Sequence, residues 1–329
     1  MEIAVFSTKP YDQAYFEKYA QDQAHEFSFF ETSLNRHTAN LTIDFDAVVV
    51  FVNDSVDKAT IEILSTNGIQ LIALRCAGFN NVDVEAAQKK NIKIVRVPAY
   101  SPEAVAEHAV ALILTLNRKT HKAYNRVREG NFSLNGLMGF NLHGKTVGVI
   151  GTGTIGATFC RVMKGFGCNL VAFDVQESAE LKELGVTFLS LNEVFKQADI
   201  ISLHCPLNEQ TQHLINKKSI AMMKDGVMII NTSRGALVDT EDAINGLSSK
   251  KIGYLGIDVY EQEENLFYQD LSESIIQDDL LLRLNSFPNV LITSHQAYFT
   301  KEAMKEITTT TLVNIDAFSK GQELENEVK

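Results

Sequence analysis

Short apolar runs alternate with amphipathic segments along the whole chain, and this alternation restricts the fold more than any other feature. Residues 47–52 and 227–230 are uninterrupted apolar runs, as expected for strands that are covered on both faces. The segments between such runs are long enough for the crossover helices that parallel strands need. The pattern therefore predicts an α/β fold built on parallel sheets. With 329 residues, the chain is expected to form about two domains.

The charge balance argues against several classes of partner. The net charge is −11, whereas nucleic acids and anionic membranes bind basic patches. The longest apolar stretch, 109–116, is too short to span a bilayer, and the first residues, MEIAVFSTK, do not resemble a signal peptide. The sequence therefore predicts a soluble, cytoplasmic protein whose partner is a small molecule.

The four cysteines predict neither disulfides nor a metal site. None of them forms a CxxC pair, and no cluster of histidine and cysteine has the spacing of metal ligands. We interpret them as scattered thiols in a reducing compartment; they are Cys76, Cys160, Cys168 and Cys205.

Polar side chains follow five of the predicted strands in the second part of the chain. They are Asp174, His204, Arg234, Asp258 and His295. In open parallel sheets, ligands bind beyond the carboxyl ends of the strands. Any one of these residues alone would be explained by a strand that turns polar where it reaches solvent. Five of them in one series, next to the glycine motif described below, favour a shared site.

The segment 147-VGVIGTGTIG-156 has the GxGxxG spacing between an apolar strand and a helical segment. Gly151 permits a tight turn, Gly153 lets a pyrophosphate approach the backbone, and Gly156 lets the helix pack closely on the strand. Asp174 ends the next strand, where its carboxylate would accept from a ribose hydroxyl and repel a 2′-phosphate. The motif thus predicts NAD (as NADH) rather than NADP; the alternative is a glycine-rich turn without a nucleotide.

A nicotinamide enzyme that reduces a carbonyl also needs a proton donor and a group that supports this donor. His295, in 292-ITSHQAYFT-300, is the favoured donor among eight histidines. A neighbouring carboxylate would stabilise its protonated ring. Glu261, Glu263 and Glu264 compete for this role, and their spacing does not choose between them.

Arg234 follows the apolar run 227–230 and is the candidate clamp for the substrate. A fixed positive charge past the end of a core strand is costly unless an anion meets it. The planar guanidinium matches a carboxylate in a bidentate manner, so a carboxylate substrate would suit it. The alternative is a structural ion pair with Asp239 or Asp258.

Five motifs together resemble the D-isomer-specific 2-hydroxyacid dehydrogenases: VIGTGTIG, HCPL, NTSRGALVD, IDVYEQE and SHQA. Residues 72–83, 95–109 and 275–284 are more narrowly similar to the bacterial fermentative D-lactate dehydrogenases of that family. The resemblance covers the whole chain. It implies two Rossmann-like, doubly wound domains with a cleft between them. Residues 1–100 and 299–329 would form a split substrate domain, and residues 101–298 an inserted NAD-binding domain.

The resemblance also implies the roles of individual residues. Arg234, Glu263 and His295 would be catalytic, which favours Glu263 among the three glutamates. Cofactor contacts would come from Gly151, Gly153, Thr154, Ile155, Gly156, Asp174, Cys205, Pro206, Thr211, Thr232, Ser233 and Asp258. Substrate contacts would come from Ala77, Gly78, Tyr100, Arg234, His295 and Tyr298.

The implied activity is the reduction of pyruvate to D-lactate with NADH by a homodimer or homotetramer. Two alternatives stay open. One is a reductase of another 2-oxo acid in the same family, and the other is an NADH-sensing, corepressor-like binding protein.

Overall fold

The computed structural model describes residues 1–21, 24–263 and 266–329. The chain divides into two compact units, one made of Met1–Ser101 with Phe299–Lys329 and the other of Pro102–Tyr298. Each unit contains one sheet in which all paired strands are parallel. The prediction of two parallel-sheet α/β units is therefore confirmed.

The first unit is built on a five-stranded sheet. Its strands are β1 (Glu2–Val5), β2 (Glu26–Phe29), β3 (Ala47–Val50), β4 (Leu71–Leu74) and β5 (Lys93–Val95), in the order β2-β1-β3-β4-β5. Its first helices are α1 (Pro10–Tyr19), α2 (Lys58–Thr66) and α3 (Val84–Lys89). All four residues of β3 are buried, as its uninterrupted apolar run predicts for a central parallel strand.

The second unit is built on a seven-stranded sheet. Its strands are β6 (Thr146–Ile150), β7 (Asn169–Phe173), β8 (Thr187–Phe188), β9 (Ile200–Leu203), β10 (Val227–Asn231), β11 (Ile252–Ile257) and β12 (Val290–Ile292). Their order is β12-β11-β10-β9-β6-β7-β8. The order reverses between β6 and β9, and ligands of such sheets bind at this switch point, outside the carboxyl ends of the strands. The sequence did not reveal β8, because two residues are too few to form an apolar pattern.

The helices of the second unit connect these strands. They are α4 (Pro102–Arg118), α5 (Thr120–Arg128), α6 (Thr154–Gly165), α7 (Ala179–Glu183), α8 (Leu191–Gln197), α9 (Lys217–Met222), α10 (Thr240–Ser248) and α11 (Asp279–Asn285). Helix α4 begins at Pro102, and a proline fits the first helical position. Helices α7, α10 and α11 begin after residues whose side chains accept an N–H of the first turn; these are Ser178, Asp239 and Asp278.

The chain then returns to the first unit through α12 (Lys301–Ser319). Thr300 caps this helix by accepting from the N–H of Ala303. Leu312 and Ile315 pack with Ile3 and Val5 of β1 in one hydrophobic cluster. Because residues more than 290 positions apart share this core, the first unit cannot be completed without the C-terminal segment. In the described part of the chain, no helix is long and apolar enough to cross a membrane.

Candidate active site

The glycine-rich turn between β6 and α6 has three glycines with different surroundings. Gly151 has a φ of +90°, and a Cβ there would lie 2.6 Å from the backbone nitrogen of Cys205. A Cβ on Gly156 would lie 2.0 Å from the carbonyl oxygen of Gly151. A Cβ on Gly153 would meet nothing within 4 Å. Packing therefore requires two of the glycines, whereas the third faces open space, as a turn that receives a pyrophosphate must.

Two features at the carboxyl edge of this sheet fit a bound dinucleotide. Helix α6 begins after Gly153, which has no side chain to satisfy the first-turn N–H groups, next to Thr154 and Ile155. Such groups at a helix N-terminus bind phosphate oxygens. The hydroxyl of Thr232, just after β10, is buried and has no hydrogen-bond partner among the residues that the structure describes. A bound ligand would satisfy it.

Asp174 follows β7 beside the same turn. Its Oδ2 accepts hydrogen bonds from the N–H and the hydroxyl of Thr152, and its Oδ1 accepts from the N–H of Gln176 at 3.1 Å. Partial burial opposes ionisation of Asp174, but the hydrogen bonds from Thr152 and Gln176 outweigh burial and lower its pKa. A carboxylate is thus held beside the glycine-rich turn, where the sequence predicted a partner for the ribose.

The loops after β9 and β10 are joined to each other next to the turn. The hydroxyl of Ser233 donates to the carbonyl oxygen of Cys205 at 2.7 Å. The hydroxyl of Thr211 donates to the carbonyl oxygen of Pro206 at 2.6 Å and closes a short turn. Burial raises the pKa of the Cys205 thiol to about 11, so this side chain stays a neutral thiol.

The ring of His204 is neutral and packed against its neighbours, so it does not act as an acid or base. Its ring lies 4.9 Å from the ring of Phe159, and its Nε2 lies 2.8 Å from the hydroxyl of Ser202. Burial lowers the pKa of His204 to about 3. A neutral ring packed on Phe159 is suited to line a binding site and not to exchange protons.

The lowered pKa of His204 predicts that the folded protein loses stability at acidic pH. The pKa of His204 in the folded protein lies below its ordinary value of 6.5. As the pH falls from 6.5 towards 3, His204 therefore becomes protonated in the unfolded chain but stays neutral in the folded one. The unfolding free energy should decrease by up to about 1.4 kcal/mol per pH unit from this residue. Urea unfolding of the protein and of a His204→Asn variant between pH 7.5 and 5 should show the difference between them shrinking. Parallel curves over this range would contradict the prediction.

Glu263 and His295 form a hydrogen-bonded pair. The Nδ1 of His295 lies 2.7 Å from the Oε1 of Glu263, and the other oxygen of Glu263 accepts from the N–H of Tyr260 at 2.8 Å. His295 has a φ of +52°, and its backbone is held by Asp258, whose carbonyl oxygen accepts its N–H at 2.7 Å. With Nδ1–H donating to this carboxylate, the second ring nitrogen, Nε2, is left to exchange a proton with a substrate.

The other two glutamates of this segment do not share this position. Glu261 lies 2.5 Å from the Nε2 of His213 and accepts from the hydroxyl of Thr240 at 3.1 Å. Glu264 lies outside the described residues. Of the two glutamates that the structure describes, Glu263 is therefore the one that contacts His295.

Arg234 stands in a turn that a buried asparagine shapes. The side chain of Asn231 donates to the carbonyl oxygen of Arg234 at 2.8 Å and accepts from the N–H of Ser233 at 3.1 Å. A Cβ on Gly235 would lie 2.1 Å from the carbonyl carbon of Tyr260, so only glycine fits there. The guanidinium donates to the carbonyl oxygen of Ser233 at 2.7 Å.

The alternative of a structural ion pair for Arg234 is not supported. Asp239 lies 3.5 Å from His213, and Asp258 lies 3.3 Å from His108. Within residues 1–21, 24–263 and 266–329, no carboxylate oxygen lies within 4.0 Å of a nitrogen of Arg234. The guanidinium therefore retains the capacity to bind an anion.

Asp258 is fully buried and organises the segment that carries His295. Its Oδ1 accepts from the N–H of Gln296 at 3.0 Å and from the hydroxyl of Thr293, and its Oδ2 accepts from the N–H of Ala297 at 2.8 Å. Burial opposes its ionisation, but the hydrogen bonds of His108 and Thr293 outweigh burial and lower its pKa. Its contact with a cofactor stays a prediction, while its support of the loop is a contact that the sequence did not reveal.

Sequence reasoning also missed four residues that hold the site together. They are Asn231, His108, Thr293 and Tyr268, whose hydroxyl donates to the carbonyl oxygen of His295 at 3.1 Å. Only Asn231 carried a signal, since asparagine at a strand end is typical of a turn that its side chain shapes. The contact between His108 and Asp258 joins residues 150 positions apart, and no local pattern marks it.

The predicted substrate-loop residues lie in the first unit. The guanidinium of Arg96 donates to the carbonyl oxygen of Ala77 at 2.7 Å. The thiol of Cys76 donates to the carbonyl oxygen of Gly78 at 3.2 Å. Tyr100 is half-buried in this unit, and Tyr298 is buried at the end of the second unit. Their contacts with a substrate stay predictions. No group of three potential metal ligands occurs within the described ranges.

Comparison with known proteins places the chain in a family. Residues 110–297 match the family described as "D-isomer specific 2-hydroxyacid dehydrogenase, NAD binding domain". D-lactate dehydrogenase of Escherichia coli (strain K12) is 50% identical over 328 residues, which cover 100% of both chains. These two findings cover the glycine-rich turn, Arg234 and the Glu263–His295 pair.

Solved structures agree. The pyruvate reductase of Chlamydomonas reinhardtii superposes with a TM-score of 0.94 at 43% identity, covering 99% of this chain and 98% of that one. D-lactate dehydrogenase with NAD+ from Lactobacillus jensenii superposes with a TM-score of 0.83 at 31% identity, covering 100% of both. The chain belongs to the D-isomer-specific 2-hydroxyacid dehydrogenases and carries their NAD-binding domain.

Proposed function

We propose that this protein is an NAD-dependent D-lactate dehydrogenase that reduces pyruvate to D-lactate. The observation that carries the proposal is the 2.7 Å contact between Nδ1 of His295 and the carboxylate of Glu263. This pair follows β11 and β12 at the same edge of the sheet as Arg234, which follows β10. The names of the relatives supply the substrate, since they are D-lactate dehydrogenase and pyruvate reductase.

The proposed cofactor site uses the switch point of the second sheet. The N–H groups of Thr154 and Ile155 would hold the pyrophosphate, and Gly153 would leave room for it. Asp174 would accept from the ribose hydroxyls. The remaining predicted contacts would line the same edge; they are Cys205, Pro206, Thr211, Thr232, Ser233 and Asp258. When bound, NADH supplies the hydride that adds to the carbonyl carbon of the substrate.

Arg234, His295 and Glu263 would divide the remaining work. Arg234 would bind the carboxylate of the substrate and lie beside the substrate's carbonyl group. His295 would donate the Nε2 proton to the developing alkoxide, while Glu263 holds Nδ1 and stabilises the charged ring. Together, the guanidinium and the imidazolium would stabilise negative charge on the oxygen. Reduction needs a protonated His295 and oxidation a neutral one, so lactate oxidation should favour higher pH.

The choice of NAD over NADP should depend on Asp174. Its lowered pKa keeps a carboxylate beside the ribose, where it would repel a 2′-phosphate. Asp174→Asn should lower the ratio of kcat/KM for NADH to that for NADPH by about tenfold or more, which corresponds to about 1.4 kcal/mol. Initial rates with both cofactors at saturating pyruvate test this. An unchanged ratio would show that Asp174 does not discriminate.

The direct test of the function is NADH oxidation with pyruvate, followed by chiral analysis of the lactate. Formation of D-lactate is the expected result. A panel of 2-oxo acids separates this activity from the alternative, a reductase of another 2-oxo acid. Stoichiometric NADH binding with no turnover on any acid of the panel would instead favour a corepressor-like binding protein.

Further parts of the proposal rest on the resemblance. We assign the first unit to the substrate and the second to the cofactor, with boundaries near residues 100 and 299. Substrate contacts are proposed for Ala77, Gly78, Tyr100 and Tyr298. We propose a homodimer or homotetramer in the cytoplasm that needs no metal. Light scattering of the purified protein measures its oligomeric state, and activity after treatment with a chelator tests whether it needs a metal.

A further inference from the structure

A second histidine–carboxylate cluster lies next to the pair formed by Glu263 and His295. His213 stands between two carboxylates: its Nε2 lies 2.5 Å from the Oε1 of Glu261, and its Nδ1 lies 3.5 Å from the Oδ2 of Asp239. The other oxygen of Glu261 accepts from the hydroxyl of Thr240 at 3.1 Å. The proposed chemistry assigns no role to this cluster.

The backbone of His213 is held in an uncommon conformation. Its φ is +49°, in the left-handed region that few residues other than glycine adopt, although asparagine, aspartate and histidine are enriched there. Its N–H donates to the carbonyl oxygen of Ala236 at 2.8 Å, and its carbonyl oxygen accepts from the side chain of Asn216 at 2.7 Å. Ile215 continues this contact by donating to Leu237 at 2.9 Å. The surrounding structure thus fixes the backbone from which the ring reaches the two carboxylates.

The two carboxylates belong to the two segments that carry the candidate catalytic groups. Glu261 lies two residues before Glu263, in the turn where the N–H of Tyr260 binds the Glu263 carboxylate. Asp239 ends the segment that begins at Arg234. The two segments touch through their backbones, because a Cβ on Gly235 would lie 2.1 Å from the carbonyl carbon of Tyr260. His213 therefore contacts both segments at the point where they meet.

We propose that His213 is a positioning residue that holds Glu263 and Arg234 at the relative positions that the reaction requires. It binds Glu261 on one segment and Asp239 on the other, and it transfers no proton to the substrate. The inference rests on the proposed function, since it assumes that Glu263 and Arg234 act on the substrate. A displacement of about 1 Å at a reacting group can lower a rate about 100-fold, so a contact that holds two such groups has a measurable effect.

The test uses the full-length protein with His213→Asn. Asparagine tolerates the positive φ but is too short to bridge the two carboxylates. The expected result is a fall in kcat of about tenfold to 100-fold with a rise in KM for pyruvate. The pH at which kcat for reduction falls to half should also decrease, because Glu263 supports the charged His295 less well. The dissociation constant of NADH should not change. His25→Asn is the matched control, since it alters another histidine near a carboxylate, Asp316, in the first unit.

Two further measurements keep the result unambiguous. Glu261→Gln should reproduce the effect, and the double variant should be no worse than the single ones, because both changes weaken the same contact. In NMR spectra, the downfield Nδ1 proton that His295 shares with Glu263 should be visible in the wild type and lost in His213→Asn. This signal does not depend on turnover, so it tests the positioning even if pyruvate is not the substrate.

The outcomes separate clearly. An unchanged kcat and an unchanged pH profile in both variants would overturn the inference. A fall in kcat without a change in the pH profile or in the Nδ1 signal would also overturn it, because a structural defect alone would account for that fall. If His213→Asn does not fold, Glu261→Gln decides. A wild type that fails to reduce any 2-oxo acid would refute the proposed function, whereas the NMR comparison would still decide the positioning.

Discussion

His295→Gln is expected to lower kcat for pyruvate reduction by about 10²- to 10⁴-fold, the range of a lost general acid. Glutamine keeps a hydrogen-bond donor and much of the volume of the ring, but it does not release a proton at neutral pH. Because Nδ1 of His295 is engaged with Glu263, the loss concerns the proton that Nε2 would deliver to the alkoxide. Stopped-flow measurement of NADH oxidation separates this step from product release.

NADH binding provides the control for this variant. The dissociation constant, measured by NADH fluorescence, should change by less than about twofold, because general acid catalysis contributes to the chemical step and not to cofactor binding. His143→Gln, at an exposed histidine in the same unit, should behave as the wild type. Glu263→Gln should show a smaller fall in kcat, since the proton donor remains. A His295→Gln enzyme with wild-type kcat would remove the proposed acid.

Arg234→Lys should lower kcat/KM for pyruvate by about 10²- to 10³-fold, comparable to the loss of one donor that stabilises an oxyanion. Lysine keeps the positive charge but replaces the planar fork with a single ammonium group, which does not bind a carboxylate in a bidentate manner. The guanidinium of Arg234 has no carboxylate within 4.0 Å in the described residues, so the substitution breaks no ion pair there. The folded protein should therefore remain intact, and the loss should appear in catalysis.

Arg161→Lys is the matched control for this change. Arg161 forms an exposed ion pair with Glu180 in the same unit, and such pairs contribute little to stability. Steady-state kinetics and thermal unfolding of both variants are the measurements. Two results would oppose the clamp. One is wild-type kcat/KM in Arg234→Lys, and the other is a fall in its melting temperature that accounts for the lost activity.

The strands before these five polar residues, and the position of the residues at the strand ends, were predictable from local patterns. The apolar runs before Asp174, His204, Arg234, Asp258 and His295 all form strands of one parallel sheet, so these five residues do follow a common edge. This inference needed no tertiary information, because side-chain burial on both faces demands a continuous apolar run. The glycine spacing was equally informative, since Gly151 and Gly156 are required by close backbone packing.

The partners of the ionisable residues were not predictable from spacing. Glu261 and Glu263 lie two residues apart, yet one contacts His213 and the other contacts His295. Asp239 and Asp258 were plausible partners of Arg234, but each contacts a histidine instead. Each outcome depends on where a turn directs a side chain, which the neighbouring segments determine.

The sequence by itself determined the two parallel-sheet units, the glycine-rich turn for a dinucleotide and the types of residue at the carboxyl edge. These follow from interactions that repeat along the chain, namely burial, strand pairing and the backbone freedom of glycine. Only the tertiary structure decided how Glu263 contacts His295, that Arg234 keeps a guanidinium free of carboxylates in the described residues, and which residues Asp258 and His213 contact. The physical reason is that an ion pair or hydrogen bond depends on distances of a few ångströms between residues far apart in the chain, and these distances exist only after the segments have packed.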